Sequence, residues 1–228
     1  MAKIDEVTIY GSNKWSDLKP LELDDKDLIM VDWDKYYKDV FEKHQIVLHH
    51  TVSGPGIRGD LGTWAKYKSS IATCVIIERD GTINQLFSSK YWGYHLGTGN
   101  SNLDKHSIAI ELDSWGQLEK RGDKFYTVYG NSVDVPIREY ETLWRDEKYF
   151  EAYSYEQLRS LGELLLFWKD KYNIPLTYNE DMWDVSQRAL DGEKGVWAHV
   201  SYRPYPSKSN KWDVHPDSDL ISMLKTIN

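Results

Sequence analysis

Apolar and polar positions along this chain follow two periods, and these separate its strands from its helices. Residues Gln45–His50 carry the unbroken apolar run Ile46-Val47-Leu48, end in two histidines, and meet the breaker Ser53-Gly54-Pro55-Gly56 almost at once. A short apolar run bounded in this way predicts a buried strand followed by a loop. Residues 71–78 predict a second apolar strand, closed by the hairpin turn Arg79-Asp80-Gly81, with 82–87 returning as its partner. Ser107–Leu112 alternates around Ile108 and Ile110 and predicts a third core strand, and Gly195–Ala198 is strand-like up to His199. The helical period appears over Tyr155–Tyr172, where Leu158, Leu161, Leu165, Trp168 and Tyr172 recur every three or four positions after Ser154, a good N-cap. The spacing predicts a helix packing its leucine face on the sheet, ended by Ile174-Pro175-Leu176, while 63–68 predict a helical turn and 218–227 a short closing helix.

Elsewhere the pattern is weaker. Within 1–43, two apolar patches at 7–10 and 28–31 sit among acids and precede the aromatic segment 33–41; we read an N-terminal arm with a short helix at 36–43. Residues 116–149 mix aromatic and charged side chains with turn signals at Arg121-Gly122-Asp123 and Gly130-Asn131, which predict an inserted hairpin and an irregular excursion. Strands interleaved with flanking helices predict a single α/β domain with a central mixed sheet, spanning 44–228, with the arm packed on it and an insertion at about 116–150.

Composition narrows the function. With 40% hydrophobic residues and 14% aromatics, among them 10 Trp and 16 Tyr, the chain can fill one core and still line a groove with rings. A formal charge of -8 with no run of Lys and Arg argues against nucleic acid and, more weakly, against an anionic membrane surface. The one cysteine, Cys74, lies in an apolar run, so no disulfide framework exists and a buried thiol is expected. Residues 1–20 lack an apolar signal segment and no later stretch reaches the length of a membrane span, so a protein made without a cleaved signal and without membrane insertion is expected.

Chemistry is carried by residues at the predicted strand ends. Successive strand side chains face opposite ways, so only one of His49 and His50 easily points at a given site. His199 follows the strand-like segment Gly195–Ala198, and Asp213 lies in Lys211-Trp212-Asp213-Val214-His215-Pro216. Two imidazoles and a carboxylate from separate strand ends would leave a fourth position open on a tetrahedral zinc, where the pKa of a water falls toward neutrality. No Gly-x-Ser-x-Gly elbow and no His-Glu-x-x-His helix offers another hydrolytic centre.

Four segments taken in order, Val47-Leu48-His49-His50-Thr51, Val75 through Ile83, Ser107-Ile108-Ala109-Ile110-Glu111-Leu112, and His199 with Lys211-Trp212-Asp213, resemble the successive signatures of the type 2 N-acetylmuramoyl-L-alanine amidases. That family includes phage endolysins, bacterial wall-recycling amidases and peptidoglycan recognition proteins, and the resemblance runs from about residue 45 to 221. It implies that His49, His199 and Asp213 bind one zinc per chain, and that His50 is structural. It further implies that Glu111 moves the proton of the attacking water and that Lys211 stabilises the oxyanion, in hydrolysis of the bond between the muramoyl lactyl group and L-alanine. The bland readings are a solvent-facing carboxylate and a surface lysine. A carboxylate flanked by Ile110 and Leu112 nevertheless needs a polar cavity or partner.

The segment Trp92-Gly93-Tyr94-His95-Leu96-Gly97 resembles the family's groove wall, which makes Tyr94 and His95 candidate substrate-binding residues against the alternative of core packing. Trp64 and Arg203 are further candidates, Arg203 for a stem-peptide carboxylate. Three features depart from the family: Thr73 stands where some phage members carry a tyrosine, the stretch 200–212 is long and makes His215 a rival third ligand, and 116–149 has no counterpart in the smallest members. The resemblance implies a monomer acting on peptidoglycan. It suits an endolysin held in the host cytoplasm until release, a cytoplasmic recycling enzyme or, as the alternative, a non-catalytic peptidoglycan-binding protein.

Overall fold

The computed structural model describes residues 14–21, 28–208 and 211–227. The first strands are β1 (Leu28–Met30), β2 (Gln45–His50), β3 (Val75–Ile77), β4 (Ile83–Gln85) and β5 (Ser107–Leu112). A second group follows, β6 (Gln117–Arg121), β7 (Lys124–Thr127), β8 (Ser132–Val133), β9 (Ile137–Trp144) and β10 (Glu147–Glu151), and β11 (Gly195–Ala198) is last. The helices are α1 (Arg58–Trp64), α2 (Ser101–Lys105), α3 (Tyr155–Tyr172), α4 (Gln187–Leu190) and α5 (Ser218–Thr226), with 3-10 turns at Glu180–Trp183 and His199–Tyr202. The central sheet has the order β1-β4-β3-β5-β2-β11 and is mixed: β3 and β4 are antiparallel, and the other neighbours run parallel. This is the α/β domain that the strand and helix periods predict.

Strands β2 and β5 are buried along their whole length, which is why they read as near-continuous apolar runs. Their parallel register sets His49 beside Glu111 and His50 beside Leu112, so the first pair shares one face of the sheet and the second pair the other. Helix α3 starts where the Ser154 hydroxyl accepts the N–H of Gln157 at 3.0 Å, and it ends at Asn173 in the left-handed conformation. Leu158, Leu161 and Leu165 are fully buried, each contributing about 1.5–3 kcal/mol relative to exposure. The Gln157 amide donates to the carbonyls of Ile77 and Asp113, which ties the helix start to the ends of β3 and β5. The turn before β4 packs on this first helical turn so closely that a Cβ on Gly81, at φ +88°, would lie 2.8 Å from the Glu156 carbonyl oxygen.

The structure corrects four local expectations. Residues 36–43 form no helix: Tyr37 exchanges backbone hydrogen bonds with Trp92 and stacks its ring on Trp92 at 4.2 Å, so tertiary ring packing overrides local propensity. The strand expected at 71–78 is regular only over Val75–Ile77, with Ile71 in an isolated bridge to Tyr94. Of the helical turn expected at 63–68, only residues 63–64 lie in a helix, the end of α1, which starts at Arg58; Lys66 and Tyr67 then close turns onto the carbonyls of Thr63 and Trp64. Residues 117–151 are a five-stranded antiparallel sheet, β8-β7-β6-β10-β9, rather than one hairpin and an irregular excursion. Its charged, half-exposed strands hide their period of two, and only positions such as Leu118 and Phe150 reveal a buried face. The apolar patch at 7–10 lies outside the described residues.

Three ion pairs lock this second sheet to the rest: Arg79 with Glu151 at 2.6 Å, Arg138 with Asp217 at 2.9 Å, and Arg145 with Asp184 at 2.8 Å. The β9–β10 connection is a two-residue hairpin turn in which Arg145 (φ 48°) and Asp146 (φ 65°) are both left-handed. Side chains there cost about 1–2 kcal/mol each. At the N-terminal end, Trp15 stacks on Tyr155 at 5.2 Å and the Leu21 N–H donates to the Glu163 carbonyl, which sets residues 14–21 against α3. Among the described residues no helix is long and apolar enough to cross a membrane.

Candidate metal centre

The carboxyl ends of the parallel strands β5, β2 and β11 open into a groove of about 390 Å³. Strand ends of an open α/β sheet are the usual place for a site, because loops of independent sequence meet there over rigid elements. His49 comes from the end of β2, Glu111 from the end of β5, and His199 from the turn that follows β11. Asp213 arrives on the loop before α5, and the Val200 N–H donates to its carbonyl at 3.1 Å, joining that loop to the His199 turn.

His49, His199 and Asp213 each bring one ligand atom to within 4.8 Å of the others, and all three are buried. The Asp213 Oδ2 lies 3.3 Å from His49 Nδ1 and 2.7 Å from His199 Nδ1. Ligands at 2.0–2.1 Å on a tetrahedral zinc sit roughly 3.3–3.4 Å apart, so the His49–Asp213 spacing matches, the His199–Asp213 contact is shorter, and the cluster fits a zinc site in donor type.

Hydrogen bonds behind the histidines set their tautomers. The Leu96 carbonyl can only accept, so His199 carries a proton on Nε2, 3.0 Å away, and presents Nδ1 to the site. For His49 the same result comes through a relay. The Ser107 hydroxyl donates to the Leu103 carbonyl at 2.8 Å and accepts from His95 Nε2 at 2.7 Å, which leaves His95 Nδ1 to accept from His49 Nε2 at 3.0 Å. Below the relay the buried Lys43 ammonium donates to the carbonyls of Tyr91, Lys105 and Ser107.

Burial, then the positive charge of His199, brings the His49 imidazole down to about 4, so it is neutral and free to coordinate at pH 7. Burial also carries His95 well below the ordinary histidine value, helped by His49, His199 and Lys43. For Asp213, burial alone would push the carboxyl up. The charge of His199, the contacts with both histidines and the charge of Lys211 outweigh it and hold the carboxyl well below its usual range.

Glu111 shares a face with His49 and keeps its Oε2 buried without a hydrogen-bond partner. Burial drives its carboxyl well above the ordinary value, the negative charges of Asp213 and Asp60 add to this, and Lys211 opposes it. A carboxyl that resists ionisation and lines the groove can both take and return a proton.

The remaining candidates divide. Lys211, Tyr94 and Trp64 line the groove. His95 borders it too, but its side chain is buried and both ring nitrogens serve the relay behind His49. Arg203 is not among the lining residues: its guanidinium donates to the carbonyls of Leu96 and Gly97, an approach open only because Gly97 has no Cβ. His50 turns toward Tyr153, whose hydroxyl lies 2.9 Å from its Nδ1. His215, the rival ligand, uses both nitrogens elsewhere, on the Tyr140 hydroxyl and the Glu151 carbonyl, and among the described residues it is Asp213 that joins the two histidines in the cluster. Sequence reasoning missed Gln117, Tyr129 and Trp212 in the groove lining. Trp212 could have been found inside the Lys211-Trp212-Asp213 motif, whereas no local signal marks the other two.

A family model described as N-acetylmuramoyl-L-alanine amidase matches residues 42–216. Among solved structures, PlyL superposes with a TM-score of 0.50 at 15% identity, over 88% of this chain and 97% of that one. The Staphylococcus aureus hydrolase AmiA, in complex with its ligand, gives a TM-score of 0.51 at 13% identity, over 94% of this chain and 86% of that one. Identities this low speak to the fold alone. No curated protein sequence matches the chain.

Proposed function

The chain belongs to the N-acetylmuramoyl-L-alanine amidase family, and from that premise we propose that it is a zinc-dependent peptidoglycan hydrolase that cuts between the muramoyl lactyl group and the L-alanine of the stem peptide. The convergence of His49, His199 and Asp213 in one groove with Glu111, whose Oε2 has no partner among the described residues, is the observation that carries this reading. Bound by those three side chains, a zinc ion would supply Lewis-acid polarisation of a carbonyl and a lowered pKa for water. Glu111 takes the proton of the attacking water and returns it to the leaving alanine nitrogen. Lys211 holds the negative charge that develops on the carbonyl oxygen. His95 holds the His49 ring with Nδ1 toward the ligand cluster, and Tyr94, Trp64 and Tyr129 offer ring faces to sugar and peptide. A full ligand set with a neighbouring general base favours catalysis over a purely binding role.

We take residues 44–228 as the catalytic domain, 1–43 as an arm packed on it, and 116–150 as an insertion. We also propose a lytic role of the endolysin type, acting on intact cross-linked wall, to which a groove edged by aromatic rings is suited. Incubation with purified sacculi is expected to release new N-terminal L-alanine, and a chelator is expected to stop the release. Digestion that ignores the chelator, or a different new terminus, would overturn the reading; turnover of soluble muropeptides without sacculus lysis would favour recycling instead. Tyr129→Ala, which removes an exposed groove ring, is expected to raise KM on sacculi roughly 5- to 10-fold and leave kcat unchanged, as fits the loss of about 1 kcal/mol of ring contact. An unaltered KM would take Tyr129 out of substrate binding.

A further inference from the structure

Arg145 occupies a position that its backbone does not favour. It is the first residue of the β9–β10 turn and is left-handed at φ 48°, where glycine or asparagine is the usual choice. Yet its guanidinium is buried and reaches out of the second sheet into the loops that carry the candidate metal ligands. Nη1 donates to the Lys211 carbonyl at 2.8 Å. Nη2 faces the carbonyls of Val200 at 3.2 Å and Arg203 at 3.3 Å, and the Asp184 carboxylate at 2.8 Å. In the reverse direction the Trp212 indole N–H donates to the Arg145 carbonyl at 2.9 Å. One residue therefore binds the peptide next to His199 and the two residues that precede Asp213.

We infer that Arg145 is a positioning residue for the metal centre, and that the second sheet carries it there to clamp the long 200–212 connection so that His199 and Asp213 meet. The two features that set this chain apart from compact members, an added sheet and a long connection between ligands, then answer each other. A long loop lowers the chance that its two ends hold a ligand geometry by themselves, because more conformers compete with the productive one. A planar fork with several donors, fixed on a sheet, removes those conformers at little rotamer cost. The neighbouring pairs fit the same role, since Asp146 accepts from the Tyr205 hydroxyl at 2.7 Å and Tyr205 packs edge-on to Trp212 at 5.9 Å.

This inference rests on the reading that His49, His199 and Asp213 hold zinc, and the test separates the two. Zinc affinity is measured by competition with a chromogenic chelator for the wild type, Arg145→Gly and Arg145→Lys, with circular dichroism reporting the fold. Glycine suits the left-handed turn, so the hairpin keeps its connection while the clamp is lost. R145G is expected to bind zinc 10- to 100-fold more weakly, the range for residues that orient metal ligands, and R145K, with one ammonium for several carbonyls, to fall in between. Zinc affinity within twofold of wild type in a folded R145G overturns the inference. If R145G fails to fold, R145K decides by the same criterion. A wild-type protein that binds no zinc would instead overturn the reading of the site itself.

Discussion

Protein carrying His199→Ala is expected to fold, to lose its one zinc per chain, and to lose hydrolysis of sacculi by more than about a hundredfold, above the range seen for supporting residues. The substitution deletes one of the two imidazole nitrogens that meet the Asp213 carboxylate, and leaves His49 and Asp213 as a pair. Two ligands in a site of this kind cannot hold the ion against water or buffer, because three protein ligands are the usual minimum of a catalytic zinc site. A second effect separates a lost ligand from a general collapse. Burial tends to raise the Asp213 carboxyl, and the charge of His199 is the largest influence against it. In the metal-free wild type the lowered carboxyl stabilises the fold above its unfolded pKa, and that contribution is lost as pH falls through the folded value. Without His199 the balance tilts toward burial and the carboxyl takes up a proton at higher pH, so metal-free H199A is expected to unfold at a higher pH than metal-free wild type on acidification. Metal analysis together with an acid titration followed by circular dichroism checks both parts. A variant that keeps stoichiometric zinc would remove His199 from the ligand set.

How much of this was legible in the sequence depended on where the hydrophobic pattern was strong. Strands β2 and β5 and helix α3 were readable to the residue, since continuous burial in the sheet and a single leucine stripe leave unambiguous periods. Their ends carry His49 and Glu111, and the motif resemblance named the same positions. The approach of His199 and Asp213 was not readable from spacing. It depends on the Val200-to-Asp213 hydrogen bond and on Arg145, which is distant in the chain and sits in a segment with no clear period. The competition between Asp213 and His215 was open for the same reason. The stacking of His215 between Phe150 and Tyr153, at 4.6 and 4.7 Å, and its bonds to Tyr140 and Glu151 show why the later histidine faces away. The relay through His95 to Ser107 was hidden as well: an aromatic, histidine and glycine segment looks like a groove wall, and nothing local says that the imidazole turns inward.

Glu111→Gln is expected to keep zinc and the fold while hydrolysis falls by roughly 10²- to 10⁴-fold, the usual contribution of a positioned general base. Glutamine has nearly the same shape and can occupy the place beside His49 in register, so the metal ligands need not move. What it lacks is a basic oxygen. The Glu111 Oε2 meets no donor among the described residues, and the side chain lines the groove, so the carboxyl is not tied up in a structural hydrogen bond at that oxygen. The price of this arrangement is visible in the stability of the metal-free protein. Burial raises the carboxyl well above its ordinary 4.5, so the folded state binds more protons than the unfolded state between those two pKa values. Stability therefore falls as pH rises through that window. Glutamine does not titrate, so metal-free E111Q is expected to be at least as stable as wild type at pH 7 and to lose the decline that begins near 4.5. A residue whose removal stabilises the empty protein and abolishes turnover is one held in place for chemistry. Turnover within tenfold of wild type, measured on fully zinc-loaded E111Q, would move the proton transfer to another group. Lower stability at neutral pH would mean that Glu111 serves the fold instead.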